Sequence, residues 1–553
     1  MNKFLTLVSL IFLLEIPVYS QWVSNTSENT PLCTDVNDQQ EQRIVSDGKG
    51  GAIVTWSDFR TDITNRIADV YLQRVKADGT MAWANNGVAV CTNLTDQKTP
   101  FICGDNVGGA IICWQDLRSG NRDIYAQRFD SLGNALWAAN GIPIVQKAAS
   151  QTGIRIIEDG NNGFFLVWED SINGASDIYA QKINSEGALQ WASNGIIVCN
   201  SLGLQINPRL VRDIAGGIII CWQDRRNGSN YDIFAQRISN IGTAVWAANG
   251  LSVCSAINTQ SNPKIEPDNA GGAYIVWQDK RSALNFDVYC QRINASGSLQ
   301  WAVNGTIVCN AANSQSAIDA TTDGISNGII ITWKDGRNAF NNIYAQFVNG
   351  SGSNVWNANG FLISTLGREQ VNPNIVGVGN QSAVITWQDS TVNGWDVYAQ
   401  KINTSGNQLW NVGGTIVSDA IGNQTNPKNV SDGNGGNIFS FQDKRTGTLD
   451  IYVSLLKSNG TFNSVAALEK NKQLIIYPNP VSKKIFFKGF QNFISVNYCI
   501  YSVEGKLVKS GNISSNETNN GVEINLENGC YFLNIIDNKT GILSTSKFTV
   551  VNE

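Results

Sequence analysis

Gly217-Ile218-Ile219-Ile220-Cys221-Trp222-Gln223-Asp224 decides how this chain is read. Consecutive apolar residues run into a tryptophan, so a strand here has to be covered on both faces rather than one. Just upstream, Pro208-Arg209-Leu210 starts a shorter strand, and between the two lies a tight turn of the type seen in Asp47-Gly48-Lys49-Gly50-Gly51, where glycine supplies the positive φ that hairpin turns require. Downstream, Asp232 to Arg237 makes a third strand of the D-I-Y-A-Q-R type. A glycine turn, W-x-x-N-G and a short apolar strand then follow, as in Trp191-Ala192-Ser193-Asn194-Gly195-Ile196-Ile197-Val198. The unit is four strands joined by short turns.

That unit recurs. Its W-x-D anchor stands at Trp56, Trp114, Trp168, Trp222, Trp277, Trp333 and Trp387, with Phe441 in an eighth copy, and successive anchors are 54 to 58 residues apart. A four-stranded sheet with a doubly apolar strand cannot bury both faces alone, whereas radial stacking of such sheets solves the problem. The expected fold is therefore all-β: an eight-bladed β-propeller. A second tryptophan occurs at Trp83, Trp137, Trp191, Trp246, Trp301, Trp356 and Trp410 and is missing from the eighth copy, while the N-terminal segment carries Trp22 and Pro31-Leu32-Cys33. This predicts that the N-terminal strand completes blade eight and leaves no open sheet edge.

Composition narrows the function. The net charge is −5 with 15% charged residues, which offers no clustered basic surface for nucleic acid. Histidine is absent, and with it the commonest general base and metal ligand. The repeated Asp and Arg of the W-x-D-x-R segments read as loop pins, because a catalytic constellation is unique rather than copied into every blade. The Asp-Gly turns lack the alternating carboxylates of a calcium loop. No metal, cofactor or catalytic residue is assigned. Loop positions that differ between blades put Trp395, Tyr231 and Phe286 forward as ligand-binding aromatics. Cys33, Cys91, Cys199, Cys254 and Cys309 share one repeat position and read as buried small hydrophobes too far apart to bridge; a Cys499–Cys530 pairing stays open.

The two ends of the chain differ from the repeats. Residues 1–20 read as a signal peptide, with Lys3, an apolar stretch from Phe4 to Leu14, and cleavage between Ser20 and Gln21; no later stretch is apolar enough to span a membrane. The propeller is expected over 21–465 and a linker over 466–473. Residues 474–553 contain Tyr477-Pro478-Asn479-Pro480, a turn at Gly505, Gly529-Cys530-Tyr531 and Lys547-Phe548-Thr549-Val550. This segment resembles the type A C-terminal sorting domain of type IX secretion system cargo in Bacteroidota. The resemblance implies an Ig-like β-sandwich read by the outer-membrane translocon and a destination outside the cell or on its surface. The repeats resemble uncharacterised propellers on such cargo. Together these lead to the expectation of a monomeric binding or adhesion module for an extracellular glycan or protein, non-enzymatic; the alternative is a polysaccharide-active enzyme, a glycoside hydrolase or lyase, on the same scaffold.

Overall fold

The structure is a computed structural model that describes residues 22–62, 64, 67–172, 174–462, 475–488, 495–503, 506–514, 522–537 and 543–552. The expected signal peptide, the linker and Gly505 lie outside the described residues. The chain divides into two compact units between Asn463 and Ser464.

The described residues of the first unit are all-β and form eight four-stranded antiparallel sheets. Seven use four consecutive strands, as in Gln205–Arg212, Ile218–Asp224, Asp232–Ile238 and Leu251–Cys254 of the fourth sheet. In the eighth sheet, Gln424–Ser431, Asn437–Asp443 and Asp450–Leu456 are followed in space by Thr30–Cys33, which pairs Thr30 with Val453 and Cys33 with Ile451. The second strand of each sheet is the one with consecutive apolar residues, and Ile218–Asp224 is buried from end to end because neighbouring sheets cover both of its faces. Its tryptophan is fully buried in seven sheets, as Phe441 is in the eighth. The glycine of W-x-x-N-G is required by this packing: at Gly87, with φ +88°, a Cβ would sit 2.6 Å from the Trp56 ring.

One feature of the first strands was not foreseen. Each carries a bulge after its second residue, where the register slips, as between Ile206 and Arg209. The residue in the slip has positive φ throughout: Glu41, Thr99, Gly153, Asn207, Asn262, Ala317, Asn372 and Asn426.

Adjacent sheets are stitched by a repeated backbone bond from the start of a first strand to the loop of the preceding sheet: Gln205 N to Ser176 O, Gln260 N to Tyr231 O and Gln315 N to Phe286 O, each 2.7 Å. Gln39 N donates in the same way to Leu449 O at 2.6 Å, linking the first sheet to the eighth. The indole of Trp22 donates to Ala77 O at 2.9 Å, as Trp83 donates to Ser131 O at 3.3 Å one sheet further on. Trp22, Leu32 and Cys33 share a core with Trp56 of the first sheet and Ile451 and Val453 of the eighth.

The second unit is a small sandwich. Strands Ile475–Tyr477, Lys484–Lys488 and Val522–Glu523 form one sheet, and Leu507–Ser514, Ser495–Ser502, Gly529–Asp537 and Leu543–Val550 form the other. Ile485, Ile500, Leu533, Ile535, Phe548 and Val550 fill the space between them. Among the described residues no helix is long and apolar enough to cross a membrane. All eleven cysteines are free, Cys499 and Cys530 included.

Candidate functional site

The repeated polar residues occupy the seams between sheets. Asp224 accepts the Trp222 indole N–H at 2.8 Å and the backbone N–H of Arg226 at 2.9 Å, and it takes the Arg226 guanidinium at 2.9 and 2.6 Å. The same guanidinium donates to Asn249 O at 2.8 Å, touches Cys199 Sγ at 3.3 Å and stacks 3.7 Å from the Phe234 ring. Equivalent sets form at Asp58/Arg60, Asp116/Arg118, Asp279/Arg281 and Asp335/Arg337. The third and seventh sheets lack an arginine two residues after the aspartate. Lys147 instead reaches Asp170 at 2.8 Å and lies 3.9 Å over Tyr179, and Arg368 reaches Asp389 at 2.8 Å. Burial pushes the Cys199 thiol up to about 11 and Cys33, Cys91, Cys254 and Cys309 up to about 12, so none is a thiolate nucleophile near neutrality.

At the turns, Asp47 takes the backbone N–H groups of Lys49 and Gly51 at 2.8 Å on one oxygen and Arg74 at 2.7 Å on the other. Both carboxylate oxygens are thereby engaged within the protein.

The residues that differ from sheet to sheet lie on the first strands. The bulge brings the position opposite the residue before the anchor tryptophan to a shared space, and that position holds Arg43, Phe101, Arg155, Arg209, Lys264, Asp319, Asn374 and Lys428. A cavity of about 300 Å³ is lined by Arg209, Lys264 and Lys428 together with Asn262, Asn372 and Asn426, residues of four different sheets. Lys264 is neutralised by Asp319 at 2.9 Å, and Asp319 also accepts from Asn374 at 2.6 Å. The other four cations make no ion pair among the described residues. Arg43 and Arg155 flank a single ring, 4.9 and 4.7 Å from the Phe101 centroid, and the buried Nε of Arg43 has no hydrogen-bond partner. Among the described residues the Arg209 side chain donates only to the carbonyl of Pro208, at 3.0 Å.

Electrostatics follow from that arrangement. Burial, then the charges of Arg209 and Arg43, pull Arg155 well below the ordinary arginine value; burial lowers Arg43 and Arg209 too. Lys428 falls to about 8, from burial first and then from Arg43, with Lys264 adding to the same effect. Close by, burial and then Asp319 raise Glu266 to about 8, so this carboxyl is neutral at pH 7.

The bulge residues form a rim above the cations. Asn207, Asn262, Asn372 and Asn426 donate their amides to Gln223, Gln278, Gln388 and Gln442, the middle residues of three W-Q-D segments and of Phe441-Gln442-Asp443. Because Gln205 pairs with Asp224 and Ile206 with Gln223, this rim lies at the same sheet ends as the W-x-D loops.

Trp395, Tyr231 and Phe286 belong to the seventh, fourth and fifth sheets, half-buried beside the inter-sheet stitches. Tyr231 lies 5.9 Å from the Arg225 guanidinium and Phe286 5.8 Å from Lys280. No ring pair brings the three together among the described residues. Neither the basic girdle nor the amide rim was picked out by sequence reasoning. The available signal was the residue after the strand proline, which changes between Pro208-Arg209, Pro263-Lys264, Pro373-Asn374 and Pro427-Lys428.

In the second unit the separated motif pieces meet. Asn479 Oδ1 accepts Thr549 N at 2.9 Å, Val481 N donates to Thr549 O at 2.8 Å, and Tyr477 stacks on Phe486 at 5.6 Å. Pro478 and Pro480 follow cis peptide bonds. Tyr531 is buried with its hydroxyl on Glu527 O at 3.0 Å, and Gly529 and Lys547 lie on the paired last two strands.

These features define a protein built from β-sheet repeats followed by a small β-sandwich unit. Residues 475–551 match the family described as secretion system C-terminal sorting domain, and the chain is type IX secretion cargo, secreted or attached to the cell surface. No curated protein matches it. Among solved structures it is similar to polysaccharide lyase Uly1 (11% identity, 70% of this chain and 95% of that one, TM-score 0.42). It is also similar to a protein of unknown function from Dyadobacter fermentans (9% identity, 67% and 96%, TM-score 0.37). A third likeness is to PorZ, a surface component of the type IX secretion system of Porphyromonas gingivalis (11% identity, 91% and 79%, TM-score 0.24). Likenesses this loose carry no argument about ligand or activity.

Proposed function

We propose that the chain is a monomeric surface-binding or adhesion module: a closed eight-bladed β-propeller over residues 21–465, exported through a signal peptide at 1–20 and joined by a linker at 466–473 to the sorting domain at 474–553. The Gln39–Leu449 and Trp22–Ala77 bonds, which repeat between the first and eighth sheets the contacts made elsewhere, support closure. The observation that carries the binding reading is the amide rim over a concave cavity, at the sheet ends where the loops with Trp395, Tyr231 and Phe286 also lie. Asn and Gln amides paired with one another at an exposed edge, with aromatics nearby, are what a glycan or protein ligand engages, while the repeated Asp and Arg residues are consumed in the seams.

A panel of extracellular glycans and matrix proteins, probed with the secreted chain, tests this. Binding is expected to fall at least tenfold in N207A/N262A and to persist in R226A. Absence of any ligand, or loss of binding in a native-like R226A protein, sinks the reading.

One observation favours a second reading, a polysaccharide-active hydrolase or lyase: burial, and then the charge of Asp319, raise the Glu266 carboxyl to about 8, and a carboxyl kept protonated near neutrality suits a general-acid role. Product release from a polysaccharide panel that disappears in E266Q would establish it; no release from any member would exclude it.

A further inference from the structure

We propose that the space where the first strands converge binds a multivalent oxyanion, held by Arg43, Arg155, Arg209 and Lys428. This rests on the binding-module reading above and gives its ligand a chemical class.

The chain as a whole is acidic, at −5, so four unneutralised cations on converging strands are not part of a generally basic surface. They are also not placed by the repeat, since the same register position holds Phe101, Asp319 and Asn374 in other sheets. On the third strands of the same sheets the buried arginines are paired with carboxylates: Arg74 with Asp47 at 2.7 Å, Arg128 with Asp105 at 3.0 Å, and Arg237 with Asp213 at 2.7 Å. In the convergence space that rule is broken four times.

Leaving like charges unpaired in a partly desolvated space is unfavourable unless something else neutralises them. Among the described residues, Arg43 has an Nε buried without a partner, and the Arg155 and Arg209 guanidinium groups donate only to the carbonyl of the residue before them. Guanidinium forks left open in this way match the geometry of carboxylate, sulfate and phosphate oxygens. The cavity of about 300 Å³ that Arg209 and Lys428 line, rimmed by Asn262 and Asn426, admits a group of that size. With Asp319 already engaged by Lys264, the remaining cations in this low-dielectric space concentrate the field on an anion entering between them. Free polyanions and the acidic substituents of a sulfated or uronate polysaccharide share this chemistry.

The test uses the full secreted chain at low ionic strength, with thermal unfolding followed against inorganic pyrophosphate, dextran sulfate and unsulfated dextran. A ligand that binds only the native state raises the melting temperature in a saturable way. We expect such a rise with pyrophosphate or dextran sulfate and none with dextran, and an apparent affinity at least tenfold weaker in R155Q and in R209Q. The charge-preserving R209K should stay within about threefold of the parent, and K49Q, at an exposed turn, should be unchanged. A rise with both anions, or with pyrophosphate alone, supports a compact site for the anionic group; a rise with dextran sulfate alone supports the polymer as its source. No saturable rise with either anion, or a rise that R155Q and R209Q leave intact, overturns the proposal. If neutral glycans bind at the rim while both anions fail, the inference falls and the binding-module reading stands; if the panel above also finds nothing, both fall.

Discussion

Arginine appears in two layers of the repeat unit and meets opposite conditions there. At the seams, burial alone would lower Arg226, but the hydrogen bonds and charge of Asp224 outweigh it and its pKa is raised; the same balance holds at Arg118, Arg281 and Arg337. On the first strands burial also lowers Arg43, Arg155 and Arg209, and no carboxylate reverses it. The difference teaches which layer is scaffold. A side chain copied into most sheets and paired with a carboxylate stabilises the fold, whereas one whose identity varies from sheet to sheet and whose charge is left open has been kept despite its cost, as functional sites often are.

The contrast can be broken by mutation, and the largest effect belongs to the seams. Deleting residues 22–35 removes buried Trp22, Leu32 and Cys33 and strips the last sheet of its fourth strand. The deletion protein should unfold at much lower temperature and form oligomers through the exposed edge, as read by thermal melts and size-exclusion chromatography. A monomer with parental stability would defeat the closed-ring proposal. Next, Trp222→Ala should cost about 3–5 kcal/mol in urea unfolding, the range for a large buried aromatic. Asp224→Ala takes the carboxylate from the Trp222 indole and leaves the Arg226 guanidinium only its neutral acceptors among the described residues, and should cost about 3 kcal/mol. Arg226→Ala, which leaves Asp224 its bonds to Trp222 and to the backbone, should cost about 1–2 kcal/mol. On the first strands the sign should reverse: Arg209→Gln is expected to raise the melting temperature at low salt. A loss there as large as that of Asp224→Ala would mean that the girdle is scaffold after all.

The sequence exposed the seam layer far better than the girdle, for a physical reason. Trp222, Asp224 and Gly250 act on neighbours within their own unit or at one fixed repeat distance, so periodicity alone reveals them. The gap left by the eighth copy's missing tryptophan likewise pointed to Trp22. The girdle is set by the bulge at Asn207 and its counterparts, a backbone slip that turns side chains toward residues of other sheets, and the variable residue after the strand proline marks the position without revealing that slip. Lys147 and Arg368 escaped notice for a related reason: each replaces a missing seam arginine from a different place in the chain. The sorting motif was legible because its pieces are local, although the Asn479–Thr549 latch joining them was not.

The smallest expected effect sharpens the comparison through pH. Lys428 titrates at about 8 in the folded chain, depressed by burial and by Arg43, with Lys264 adding to this and Asp319 opposing it, and near the ordinary lysine value when unfolded. Between pH 8 and about 10.5 the unfolded chain therefore binds more protons at this residue than the folded one, so its contribution makes stability rise with pH across that window. Below pH 8 the full cost of holding Lys428 charged among cations is present. Lys428→Met should accordingly be more stable than the parent at pH 7, and the gap should close as pH approaches 10.5. Glu266 also titrates near 8 but is common to both proteins, so the difference in their unfolding midpoints isolates the lysine. A gap that stays constant from pH 7 to 10.5 would show that Lys428 titrates normally and that the girdle is as well solvated as any surface. Addition of pyrophosphate at pH 7 should shrink the same gap, because an anion that neutralises the girdle removes the reason for the depressed pKa.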